Sequence, residues 1–334
     1  MSELALAAFA AHTDSHLIDA PRSERYARFA RGFDERAYLV GLEERGLRWL
    51  PRSSPCFPPA LGAIFDTPAG LFVRGRGELG VLDRPAVAIV GARSCSSYGA
   101  AVARLLGREL AAAGLVVISG LARGIDGHAH RGALDAGGLT VAVLGCGVDR
   151  DYPAAHAELA TRISERSLIV SEYAPGVEPA PWRFPARNRI IAGLAQTTIV
   201  VEARERSGAL ITADLALEEG REVFAVPGEI TSSLSVGSNR LLRSGASPLT
   251  AVVDALEAFG IEAETPAPLP ELSETAARIV ARLGVESSSA DVLARVLALD
   301  PGALSAALTE LELAGAVAER DGFFRLTRHL GCSP

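Results

Sequence analysis

Six short apolar runs, each leading into a turn and mostly followed by a helix-length segment, constrain this chain more than anything else in it. They are "AVAIVG" (86–91), "LVVISG" (115–120), "TVAVLG" (140–145), "SLIVSE" (167–172), "TTIVVEA" (197–203) and "EVFAVPG" (222–228). Consecutive β-branched and apolar residues without polar alternation predict strands covered on both faces, which is the situation of a parallel sheet. Segments between them, such as "GAAVARLLGRELAAAG" (99–114) and "GALITADLALEEG" (208–220), close on a glycine suited to a helix C-cap. Strand and helix in alternation predict a doubly wound, extended Rossmann-like α/β domain over residues 81–260, with a mostly parallel sheet. Such a sheet collects its ligand at the carboxyl ends of its strands, where the strand order reverses. The loops after the runs are therefore where chemistry is expected.

With 334 residues the chain exceeds one ordinary domain. Residues 1–80, with "DERAYLVGLEER" and a proline-rich approach, are expected to form a small helical (SAM-like) domain and connector. Residues 261–270 have the proline content of a linker. Over 271–330, three amphipathic helix patterns precede "AVAERDGFFRLT", whose Asp321–Gly322 is a hairpin signal. Three helices and a hairpin predict a winged helix. Its third helix, "PGALSAALTELELAG", has two glutamates and no arginine, whereas a groove-reading helix needs donors, so a protein partner is expected there rather than DNA.

Composition removes several function classes. The chain has no lysine, so all 33 Lys+Arg positions are arginine and Schiff-base or lysine-base chemistry is excluded. Its four cysteines, Cys56, Cys95, Cys146 and Cys332, form no CxxC pair, and reduced thiols are expected. No stretch approaches ~20 uninterrupted apolar residues, and the N-terminus lacks the pattern of a secretory signal, so a cytoplasmic location is expected. Net charge is −7, yet residues 86–250 are balanced at 16 basic against 16 acidic, while residues 251–334 carry 6 against 13. The acidic excess is thus C-terminal.

The first loop, "IVGARSCSSYG", puts Gly91 at a tight turn, then Arg93 and hydroxyls beginning with Ser94, then Gly99 at a helix start, which predicts an anion site at that helix N-terminus. GxGxxG and GxxxxGK[ST] spacings are both absent. In "SGLARGIDGHAHRGAL", Asp126, His128 and His130 invite a metal, but residues two apart on a helix point to opposite sides, and a structural role is expected. The glycines there suggest backbone held close to a ligand. "LGCGVDRDYP" and "VEARERSGALIT" extend the glycine-bearing rim. No GxSxG elbow appears. Glu172 and Glu202 end strands and are expected to pair with neighbouring arginines.

The stretch "PAPWRFPARNRIIAGL" places Pro185 near a predicted helix start, with Arg187, Asn188 and Arg189 in the first turn, where backbone donors are free. Cations at that end oppose the helix dipole, so an anion should compensate. Trp182 and Phe184 offer faces on which bases stack. The opposing expectation is that Phe184 is core and one arginine pairs with Glu172 or Glu202.

Together these blocks, with "FAVPGEITSSLSVGSNRLLRSGA", resemble the bacterial DNA-processing protein A family, also called the Smf family, from about residue 56 to 250. The resemblance implies a homodimeric protein that binds single-stranded DNA without sequence preference, shields incoming strands during natural transformation and loads RecA, with no catalytic residues, cofactor or metal. Carried over, the arginine after the first strand is Arg93, the phosphate-contacting backbone lies at Ser119 and Gly120, and the stacking aromatic is Phe184, followed by Arg187 and Asn188. The basic residue that the family often has three positions before this phenylalanine is Pro181 here, which leaves Arg183 as a substitute. The candidate DNA-binding set is Gly91, Arg93, Ser94, Ser119, Gly120, Arg123, Gly147, Arg183, Phe184, Arg187, Asn188, Ser207 and Gly208. A rival from another class is a phosphoribohydrolase-like nucleotide-processing enzyme, whose PGGxGTxxE signature is missing from the comparable "RSGALITAD".

Overall fold

The computed structural model describes residues 2–13, 24–262, 272–284, 286–320 and 322–326. Two compact units divide the chain, Met1–Ala263 and Glu264–Pro334. Most of the expected linker, residues 263–270, and Asp321 of the hairpin lie outside the described residues.

The first unit opens with helices α1 (Glu3–Thr13), α2 (Glu24–Gly32) and α3 (Glu35–Glu44). Strand β1 (Leu47–Pro51), one short turn α4 (Pro59–Gly62) and strand β2 (Gly70–Arg74) follow. The alternating region then runs β3 (Ala86–Val90), α5 (Ser97–Ala112), β4 (Val116–Ser119), α6 (Ile125–Asp135), β5 (Thr140–Val143), α7 (Ala157–Arg166), β6 (Leu168–Ser171), α8 (Arg183–Leu194), β7 (Thr197–Val200), α9 (Gly208–Glu218) and β8 (Glu222–Ala225). It closes with α10 (Val236–Arg243), β9 (Ser247–Pro248) and α11 (Val252–Glu257). All nine strands form one sheet in the order β1-β2-β6-β5-β4-β3-β7-β8-β9. Pairing is parallel from β6 through β9, while β2 joins β6 and β1 joins β2 antiparallel.

The six expected strands are all present. Residues 47–74, expected as part of a helical domain and connector, instead add β1 and β2 to the sheet edge. Alternation along β3 shows why both faces are apolar. Ala86, Ala88 and Val90 pack with Ile190, Ile191 and Leu210 of α8 and α9, whereas Val87 and Ile89 pack with Leu106, Leu110 and Ala129 of α5 and α6. Each such Val, Leu or Ile withdrawn from water contributes about 1.5–3 kcal/mol. Asp34, Ser96 and Ser207 accept hydrogen bonds from first-turn N–H groups of α3, α5 and α9, as N-cap side chains do.

The second unit is a winged helix with its own core. Helices α12 (Glu274–Leu283), α13 (Ala290–Leu297) and α14 (Pro301–Leu313) precede the antiparallel hairpin β10 (Val317–Arg320) and β11 (Phe323–Leu326). Ile279, Leu293, Leu308 and Leu311 pack together inside it. Asp300 caps α14, with Pro301 in its first turn. Among the described residues no single helix is long and apolar enough to cross a membrane.

Candidate nucleic-acid interface

Strand β3 lies between β4 and β7, so the chain order reverses beside it. At the carboxyl ends of these strands the loops part to leave two adjoining hollows of about 710 and 540 Å3. Ten of the thirteen expected residues line them. Gly91, Asn188, Ser207 and Gly208 line the first; Gly120 and Arg123 line the second; Arg93, Ser94, Phe184 and Arg187 line both.

Arg93, Ser94 and Arg123 are exposed on loops after β3 and β4. The anion site expected at the N-terminus of α5, however, is occupied by the chain itself. Glu202, 4% exposed at the end of β7, accepts the Ser96 N–H at 2.9 Å and the Ser96 hydroxyl. Its backbone carbonyl accepts the Ala92 N–H at 2.7 Å. Its carboxylate also stands where a Cβ of Gly99 would be. Glu202 therefore ties down both ends of the segment carrying Arg93 and Ser94, and fills the helix terminus with an internal anion.

Helix α8 begins at Arg183, two residues earlier than Pro185 suggests. Arg187, Asn188 and Arg189 thus sit in the second turn, and the expectation of free backbone donors beside them fails. Their environments diverge. Arg187, 4% exposed, donates through Nη1 to the Val143 carbonyl, and its Nε has no hydrogen-bond partner. Asp126 lies beside it, with Oδ2 accepting the N–H groups of Gly120 at 3.1 Å and Ala122 at 3.3 Å. Burial pulls the Arg187 guanidinium down to about 10, against the opposing charge of Asp126, so it stays cationic at neutral pH. Burial pushes the Asp126 carboxyl up, against the opposing pull of Arg187. Asn188 donates from Nδ2 to the Gly208 carbonyl at 3.0 Å, tying α8 to the start of α9.

Arg189 meets the opposing expectation of an arginine paired with Glu172, by a two-pronged contact at 2.6 and 2.8 Å, and reaches Asp66 at 2.8 Å, so it does not join Arg93 and Arg187 at the hollows. Three of the expected residues lie outside the hollows. Ser119 is buried in the sheet, its hydroxyl donating to the Ile89 carbonyl at 2.6 Å. Gly147 donates its N–H to the Val177 carbonyl at 3.0 Å. Arg183, 5% exposed, donates to the Glu178 carbonyl and lies over the rings of Tyr173 and Trp182 at 5.3 and 4.9 Å. The side chain of Arg183 therefore does not stand in at the cleft for the cation that Pro181 lacks. His130 takes the expected structural role. Thr140 donates to the Val117 carbonyl at 2.7 Å, so at 2.6 Å from its oxygen the His130 Nδ1 carries the proton.

Phe184 is half-buried, with the Arg93 guanidinium over its ring at 5.0 Å and Tyr152 stacked on it at 5.4 Å and 24°. Tyr152, Arg204 and Arg206 also line the hollows and were not singled out from sequence. The signal was present: "DRDYP" and "EARERSG" both lie on the loops that follow β5 and β7.

A doubly wound α/β unit with guanidinium groups gathered at its switch point, joined in sequence to a winged helix, defines a modular Rossmann-type protein. Similarity to known families narrows that class. The family profile of DNA recombination-mediator protein A matches residues 48–260, and that of the DprA winged helix domain matches residues 263–322. The chain belongs to the DNA recombination-mediator protein A family. It is 40% identical over 319 residues to Protein Smf of Escherichia coli, covering 92% of this chain and 84% of that one. It is 48% identical over 204 residues to the DNA processing protein DprA of Streptococcus pneumoniae, covering 61% and 71%. The crystal structure of DprA from Streptococcus pneumoniae superposes with a TM-score of 0.65 at 39% identity, covering 77% of this chain and 92% of that one. A structure of DNA processing protein A from Helicobacter pylori, described for its single-stranded DNA binding mode, gives 0.56 at 31%, covering 60% and 92%.

Proposed function

We propose that this chain binds single-stranded DNA without sequence preference, through the cleft at the carboxyl ends of β4, β3 and β7. The observation that carries this reading is Arg187: a cation withdrawn from water, with an unsatisfied Nε, bordering both hollows. A buried cation is costly unless an opposite charge answers it, and a phosphate in the hollows would add to the partial answer that Asp126 gives. Around it Arg93, Arg123, Arg204 and Arg206 are exposed, a cationic rim on a molecule of net charge −7.

With the family as support, the proposal extends to a homodimer without a catalytic step that protects incoming DNA in the cytoplasm during natural transformation and loads RecA. Its division of the chain is a DNA-binding domain (81–260), whose sheet β1 and β2 of the preceding region (1–80) extend, a linker (261–270) and a winged helix (271–330). The exposed positions of α14, Pro301, Gly302, Ser305, Ala306, Thr309, Glu312 and Leu313, include no cation, and this supports a protein partner for that unit.

The test is fluorescence anisotropy with single-stranded and duplex oligonucleotides over a salt series. Tighter single-strand binding is expected, with log affinity falling at about −0.7 per phosphate contact against log salt. Salt-independent binding, or equal affinity for duplex, overturns the reading.

A further inference from the structure

Beyond Phe184, the cleft is lined by a second aromatic, Tyr152. Tyr152 lies on the loop after β5 and is 40% exposed, so packing of the protein interior does not account for it. It is stacked on Phe184, whose ring also lies under Arg93, and all three side chains border both hollows. They form a wall between two spaces of about 710 and 540 Å3, each within the range of single-ligand pockets.

We infer that Tyr152 is a second base-stacking platform, so that a DNA strand following the rim crosses this wall with one base against Phe184 and a neighbouring base against Tyr152. The inference rests on the single-strand reading above and adds what that reading leaves open, which is how the strand passes from one hollow to the next. Every base has a π-face, so two platforms accept any sequence. Arg93, already over the aromatic ring, is placed to hold the phosphate between the two bases.

The test separates bases from phosphates. Tyr152→Ala and Tyr152→Phe are compared with the unaltered protein for binding of oligothymidylate and of an abasic strand of equal length and charge. Tyr152→Ala should weaken oligothymidylate binding by about tenfold, the loss of one stack, while abasic-strand affinity changes less than about twofold. The salt slope should not change, and Tyr152→Phe should bind like the unaltered protein. Equal loss on both strands would mean a structural role and overturn the inference. Unchanged or tighter oligothymidylate binding by Tyr152→Ala would overturn it too, because Tyr152 would then be a bystander or a cover. If the unaltered protein binds neither strand, the parent reading fails, and this inference fails with it.

Discussion

The guanidinium of Arg187 stands so close to the Cα of Gly120 that a side-chain carbon at position 120 would overlap Nη1, Cζ and Nη2. The glycine after β4 is therefore required by the arginine on α8. Gly120→Ala should displace Arg187 and weaken single-strand binding by about 1.5–3 kcal/mol, the range for hydrogen bonds to charged groups. In a double-mutant cycle with Arg187→Ala the two losses should overlap, because both remove one interaction. Fully additive losses would show that the pair does not act together.

The exposed arginines make a graded prediction. Alanine at Arg93, Arg123, Arg204 or Arg206 should each reduce the salt slope by about 0.7, with duplex and single strand compared in parallel. Surface substitutions of this kind change stability by less than about 0.5 kcal/mol, so melting temperatures should hardly move. A slope that stays constant for all four would place the phosphates elsewhere.

Glu202 and Gly99 should behave as one device. Gly99→Ala forces the Glu202 carboxylate away from Ser96. Leaving the buried Glu202 carboxylate without its Ser96 donors costs about 1–3 kcal/mol, so thermal melts should show destabilisation of that order. Affinity for single strands should fall as well, because the segment carrying Arg93 loses its anchor. A destabilised variant with undiminished affinity would separate the two roles.

His130 gives the fold an acid sensitivity. Burial, followed by the charges of His156, Arg131 and Arg187, pushes its imidazole down to about 3. An unfolded chain takes up this proton near ~6.5. The stabilising contribution is therefore complete above pH ~6.5 and is lost as pH falls, at up to ~1.4 kcal/mol per pH unit. Asp126, raised by burial, acts in the opposite direction. His130→Asn keeps a donor for Thr140 but removes the titration. Between pH 7 and pH 5 the unaltered protein should lose about 2 kcal/mol more than the variant in urea unfolding. Equal losses would take His130 out of the acid response.

The sheet was legible because its strands are covered on both faces and so read as unbroken apolar runs. Strands β1 and β2, "LRWLP" and "GLFVR", escaped because Arg48 breaks the apolar run of the first, an edge strand, and the second offers only three apolar residues between Gly70 and Arg74. The start of α8 was misplaced because Pro185 occupies its first turn without opening it. Spacing could not distinguish the fates of Arg183, Arg187 and Arg189. Which carboxylate, carbonyl or ring each guanidinium meets depends on residues up to 123 positions away, as in the bond from Arg189 to Asp66.

Glu202 also bears on how quickly the cleft can work. Since folding has already anchored both flanks of the Arg93 segment, an arriving strand finds that part of the rim preorganised, and little ordering entropy is left to surrender on association. Capture should then proceed at the pace of electrostatically steered encounter, with differences between strands expressed in how long each one stays.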